Sequence, residues 1–257
     1  MEEVQASGRY FFADEELNAK VSLTSPGMRG ALARLLSARR ITRPLRNSGF
    51  FIIVPAEFRT RGAPPLTWYL DGLMRSLEVP TYYVGLLTAA EWHGASHYAA
   101  QETQIVSPRQ IRPITIGRER LRFIRKATAA ETPVEEKPTE VAPVRLSTAE
   151  ATAYDLVRYV RAAGGLSVVA TALAELALRP AALEQALDAG GEVAVAQRLG
   201  YLLERVGRGR EAGVAERWLS RRDRVRTSAL VPSEPAGGAP LAQRWNLLVN
   251  AEFEVAA

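Results

Sequence analysis

"RRITRPLRNSGFFIIVP", residues 39–55, decides the reading of the fold. A basic segment carrying Arg39, Arg40, Arg43 and Arg46 turns at Asn47-Ser48-Gly49 into the apolar run Phe50-Phe51-Ile52-Ile53-Val54. A basic strand, a tight turn and a buried strand predict a β-hairpin. Its arginines would project from one arm and from the tip. The remaining question is which anionic surface such a hairpin touches.

The segment just upstream predicts two helices. Asp14-Glu15-Glu16-Leu17-Asn18-Ala19 reads as a short helix after the apolar Tyr10-Phe11-Phe12, and a turn follows through Leu23-Thr24. Ser25 is a good N-cap, and Pro26 falls at the first helical position, where its missing N–H costs nothing. Met28, Ala31, Leu32, Leu35 and Leu36 then share one face. The opposite face holds Gly30, Ala33 and Ser37 between Arg29 and Arg34. Small residues let a helix sink between two phosphate ridges, and flanking arginines reach phosphates or guanine edges. Short helix, turn, second helix and basic hairpin make a winged helix-turn-helix. Residues 26–38 are its expected recognition helix and residues 41–54 its wing. The expected DNA-binding set is Ser25, Arg29, Arg34, Arg39, Arg40, Arg43, Arg46 and Asn47.

Charge supports this placement. The chain has 257 residues and a formal net charge of +5. Between Ser25 and Gly62 stand eight arginines, and the only acid is Glu57. One sign concentrated on one small module is the footprint of phosphate binding. Elsewhere composition mostly excludes. With no cysteine there is no disulfide, no thiolate metal site and no cysteine nucleophile. No signal peptide and no run long enough to span a membrane are read from the sequence.

The rest of the chain predicts a larger mixed α/β domain with a helical C-terminal part, so the fold class is α+β. Residues 66–77 and 82–92 have helical spacing. Residues 104–106, 111–116 and 121–124 read as short strands, with Gly117-Arg118 as a turn. "ATAAETPVEEKPTEVAP", residues 127–143, reads as an exposed loop or arm because of its three prolines. Ser147 with Glu150 predicts a capping box. That box opens a helix with Ala153, Leu156, Val157 and Val160 as its stripe, stopped by Gly164-Gly165; further helices follow at about 166–178, 180–188, 192–206 and 211–220, and "RWNLLVN" reads as a closing strand. The domain boundary is placed after Gly62, giving 1–62 and 63–257.

Catalytic patterns are few. His93 and His97 stand four apart, a spacing that fits one metal on a helix, but they are the only histidines and Gly94 disfavours the helix. No carboxylate motif completes a site, so a helix end is the competing reading. "GRGREA", residues 207–212, imitates a dinucleotide fingerprint but follows a helix instead of a strand. The five aspartates are far apart, so no D-x-D pair grips magnesium. A second basic run, Arg217, Arg221, Arg222, Arg224 and Arg226, surrounds Trp218. It is either a solvated helix end or a second anionic contact.

Several segments together resemble the AbiEi family of antitoxins. They are "GMRGALARLLSARRITRPLRNSGFFIIVP", "PPLTWYLDGLM", "YYVGLLTAAEWHGASH", "IRPITIGRERLRFIRK", "STAEATAYDLVRYVRAAGGLSVVATALAEL" and "RWNLLVN", in that order. The resemblance implies the antitoxin of a two-gene type IV system whose toxin, AbiEii, is similar to nucleotidyltransferases. It implies a winged helix that binds inverted repeats in its own promoter and represses it. It also implies a remaining chain that counters the toxin, and a link with phage defence.

The expectations are therefore these. The chain is not an enzyme and uses no cofactor or metal. Its partners are double-stranded operator DNA and a nucleotidyltransferase toxin, with direct toxin contact left open. It is cytoplasmic, does not engage a membrane, and is a monomer off DNA because no heptad seam is present. Two other readings compete: a winged-helix regulator with a ligand-sensing C-terminal domain, and an enzyme using the His93 segment.

Overall fold

The computed structural model describes residues 4–5, 8–20, 25–46, 48–95 and 102–255. In chain order the first elements are β1 (Phe11–Ala13), α1 (Asp14–Lys20), α2 (Ser25–Ser37), β2 (Ile41–Thr42), β3 (Phe50–Ile53), α3 (Leu70–Ser76), β4 (Tyr83–Val84) and α4 (Leu86–Trp92). Then come β5 (Thr103–Ser107), β6 (Ile114–Ile116), β7 (Glu119–Arg125), β8 (Val134–Lys137) and β9 (Val144–Ser147). The C-terminal part holds α5 (Ala149–Arg158), α6 (Leu166–Glu175), α7 (Pro180–Gly190), α8 (Val193–Arg205) and α9 (Gly209–Ser220). It closes with β10 (Ser228–Ala229), β11 (Leu241–Ala242) and β12 (Leu247–Leu248). The fold is α+β, as expected.

The chain forms two compact units. The first comprises Met1–Tyr83, Gln101–Ala127 and Glu136–Arg145; the second comprises Val84–Ala100, Thr128–Glu135 and Leu146–Ala257.

Within the first unit β3 lies between β1 and β2, antiparallel to both. Both edges of β3 are thus paired and both of its faces are buried, which explains why its sequence is continuously apolar instead of alternating. All four of its residues are buried. Phe51 and Ile53 face the core that Phe12, Leu32 and Ile41 complete, and Met28, Leu35 and Leu36 of α2 pack on it. The predicted apolar face of that helix is therefore the buried one. Phe50 instead meets Phe11, ring centroids 5.4 Å apart, and Phe11 lies against Gly72, where a Cβ would come within 2.5 Å of its ring. Beyond this module β5 pairs with β7 in parallel, and β6 pairs with β7 antiparallel through Gly117-Arg118, the expected turn.

Two local features differ from what the sequence predicts. The hairpin has more than a two-residue loop: β2 ends at Thr42 and β3 begins at Phe50, Pro44 carries no N–H to extend the ladder, and the Ser48 N–H donates to the Leu45 carbonyl at 3.2 Å within the connection. The tract 127–143 is not all loop, since it contains a 3-10 turn (Ala129–Glu131) and β8. Val134, Glu135 and Glu136 of that strand are exposed, which is why it reads as a polar loop.

The second unit is largely helical. Almost all of α5 is buried, from Glu150 to Val157. Its N-cap is Thr148, whose side chain accepts from the Ala151 N–H at 3.2 Å. Ser147 is instead the last residue of β9 and its hydroxyl lies 2.7 Å from that of Thr152, so the predicted capping box does not form: the N-cap lies one residue later and Glu150 accepts from Arg179. Trp245, in the turn before β12, lies on α8 at Gly200, where a Cβ would fall 2.0 Å from the indole. The expected closing strand is β12, between β10 and β11.

Candidate nucleic-acid interface

Two elements position the basic side chains. Helix α2 is anchored by its buried apolar face, so Arg29, Ala33, Arg34 and Ser37 are exposed. At Gly30 an added Cβ would meet nothing nearer than the Arg34 guanidinium at 4.0 Å. Packing within the chain therefore does not require glycine there, although glycine costs a helix about 0.5–1 kcal/mol relative to alanine.

The helix ends in a Schellman turn. The Arg39 N–H donates to the Leu36 carbonyl and the Arg40 N–H to the Leu35 carbonyl, both at 3.0 Å. Arg39 occupies the left-handed position at φ 52, where glycine is the usual residue. An arginine thus stands where the backbone alone favours glycine. The Val54 N–H then donates to the Arg40 carbonyl at 2.9 Å, closing the base of the hairpin.

On the hairpin, Arg43 is exposed, yet its guanidinium carbon lies 4.6 Å from the centroid of the Phe51 ring. It also donates to the Arg46 carbonyl at 3.2 Å. Cation–π packing and this hydrogen bond fix its direction. Arg46 is exposed as well. Asn47 lies outside the described residues, as does the side chain of Ser25, whose backbone begins α2.

Among the described residues no carboxylate pairs with Arg29, Arg34, Arg39, Arg40, Arg43 or Arg46. Arginines elsewhere are commonly neutralised: Arg158 by Glu192, Arg179 by Glu150, Arg208 by Glu211, and Arg244 by Glu204 and Glu216. Six unpaired guanidinium groups on one helix and one hairpin present a surface that attracts phosphate.

The other sequence motifs have structural explanations. His93 caps the end of α4, and its Nε2–H donates to the Ser147 carbonyl at 2.7 Å. His97 lies outside the described residues, and among those described no group of three or more His, Cys, Asp or Glu is placed to hold a metal. "GRGREA" forms the turn from α8 into α9. In the second basic run Trp218 is only 1% exposed and donates to Asp188 at 2.7 Å. Arg221 pairs with Glu184, and Arg222 lies 3.8 Å over the Trp218 ring. With its aromatic buried, this run lacks a stacking platform. Among the described residues no helix is long and apolar enough to cross a membrane.

Comparison with known proteins places the remainder. Residues 83–205, a little under half of the chain, match the family model described as AbiEi antitoxin C-terminal domain. The match runs from β4 to the end of α8. Those residues are thus similar to an AbiEi antitoxin domain, which supports an antitoxin role. The basic module lies before the matched segment. No curated protein matches the sequence. Among solved structures, the crystal structure of the RV2827C protein from Mycobacterium tuberculosis is similar, with a TM-score of 0.65 at 16% identity. The similarity covers 99% of this chain and 89% of that one. At that identity the likeness concerns the fold alone.

Proposed function

We propose that the chain counteracts a nucleotidyltransferase-like toxin and represses its own operon. Residues 1–62 act as a winged helix-turn-helix on inverted repeats, and residues 63–257 supply the antitoxin function. The chain is a cytoplasmic monomer off DNA, and two inverted half-sites place two copies side by side. One observation carries this reading: an un-neutralised arginine surface on a helix and hairpin stands ahead of an AbiEi antitoxin domain. In this arrangement α2 enters the major groove with Gly30 and Ala33 toward the bases, and the segment 43–49 follows the adjacent backbone. The boundary after Gly62 separates DNA contacts by function more than by packing. Within the first unit Tyr10 packs against Trp68 at a tilt and Phe58 meets it edge-on, with centroids 4.3 and 5.3 Å away.

Titration of the DNA upstream of its own gene tests this. If all six arginines meet phosphates, the log–log salt slope is about −5. Arg29→Ala or Arg34→Ala relaxes preference at one operator position by about 1–3 kcal/mol if the residue reads a guanine. Equal binding to upstream and unrelated DNA would remove the operator reading.

A further inference from the structure

The most distinctive close approach outside the helix and hairpin joins two glycines far apart in sequence. Gly62, at φ 82, follows the short turn after β3; Gly117, at φ 60, makes the turn between β6 and β7. A Cβ on Gly62 would lie 3.0 Å from the Gly117 Cα, and one on Gly117 would lie 2.3 Å from the Arg61 carbonyl oxygen. Only glycine satisfies both the left-handed backbone and the lack of space. The crossing is fixed by the Arg118 N–H, which donates to the Arg61 carbonyl at 3.1 Å.

Its result is that Arg61 and Arg118 line one cleft of about 300 Å³, with Ala63, Pro64, Pro65 and Glu119. Both arginines are exposed, and among the described residues neither has an ion-pair partner. The floor is rigid, since two prolines fix their own φ and Ala63 is buried. Two exposed guanidinium groups lining a cleft of this size suit a ligand with several anionic oxygens. Glu119 is the one opposing charge, so the cleft selects a strongly anionic group over a single carboxylate.

We infer that the Arg61–Arg118 cleft is a phosphate-binding site, taking either a phosphodiester of a nucleic-acid backbone or the phosphates of a free nucleotide. This inference does not depend on the repressor reading. The test uses the full chain in two titrations, one with a duplex of its own upstream DNA and one with ATP. If the cleft grips DNA, Arg61→Ala combined with Arg118→Ala weakens duplex binding about tenfold at low salt. The magnitude of the salt slope then falls by about two. If it takes a nucleotide, the same pair abolishes ATP binding and leaves the duplex titration unchanged. In either case Glu119→Gln tightens binding about two- to fivefold by removing the opposing charge, without disturbing the glycine crossing. Wild-type behaviour of the double variant in both titrations overturns the inference. A wild-type chain that binds ATP but no duplex would count against the repressor reading and leave the cleft standing.

Discussion

The Arg40 N–H donates to the Leu35 carbonyl at 3.0 Å, and between them the chain turns through Arg39 at φ 52. A non-glycine residue in the left-handed region costs about 1–2 kcal/mol. Arg39→Gly should therefore raise unfolding stability by about 0.5–1 kcal/mol while weakening DNA binding, since the backbone relaxes and a cation is lost. Chemical denaturation and a duplex titration on one preparation measure both. Gain of stability with undiminished affinity would show that this charge does not touch DNA.

Arg43 and Arg46 separate in the same way. Arg43 packs over Phe51, whereas Arg46 has no such ring contact among the described residues. Arg43→Ala should cost about 0.5–1 kcal/mol of stability as well as affinity. Arg46→Ala should leave stability unchanged and reduce the salt slope by about one. Identical melting of the two variants would mean that the Phe51 contact contributes nothing to stability.

In the second unit Trp245 lies so close to Gly200 of α8 that an added Cβ would fall 2.0 Å from the indole. Alanine at 200 has better helix propensity, but its methyl group would overlap the indole. Overpacking of this kind costs about 1–3 kcal/mol, which outweighs the propensity gain of about 1 kcal/mol. Gly200→Ala should lower the melting temperature and shift Trp245 fluorescence. A stabilised variant would show that the indole moves aside freely.

The acid limb of stability is set in part by Glu150, which is 0% exposed. Burial pushes its carboxyl up, but the Arg179 backbone N–H and guanidinium, at 2.8 and 3.2 Å, hold it below the ordinary glutamate range. A carboxyl whose folded pKa lies below its unfolded value contributes stability above the unfolded value, about 4.3, and loses it as pH falls through the folded one. Arg179→Ala should move acid unfolding to higher pH. Denaturation curves across the acid range that superimpose for wild type and variant would contradict this.

Much of this architecture is legible in the sequence because it rests on local signals. The spacing of Met28, Leu32, Leu35 and Leu36 marks the buried face of α2, and the Phe50–Ile53 run marks a strand covered on both faces. Sequence and structure differ where tertiary structure supplies the partner. Strand β1 is not legible because three residues, Phe11–Ala13, carry no period, and only pairing with β3 makes them a strand. The lengthening of the hairpin connection at Pro44 is not legible either. Glu150 reads as a capping residue because the sequence does not show Arg179 approaching from the start of α7. The candidate interface was legible as charge, but the left-handed Arg39 and the Arg61–Arg118 cleft were not. Both depend on backbone geometry, and the second joins residues 57 positions apart (118 minus 61).

The central claim is that one chain performs two separable jobs, and growth measures it most directly. The chain is expressed from a foreign promoter together with the nucleotidyltransferase-like toxin proposed as its partner. Wild type is compared with a variant in which Arg29, Arg34, Arg40, Arg43 and Arg46 are all alanine. The account predicts that both chains restore growth, although the variant no longer binds the upstream DNA. A folded variant that fails to restore growth, where wild type succeeds, would contradict it, because protection would then run through the arginine surface itself.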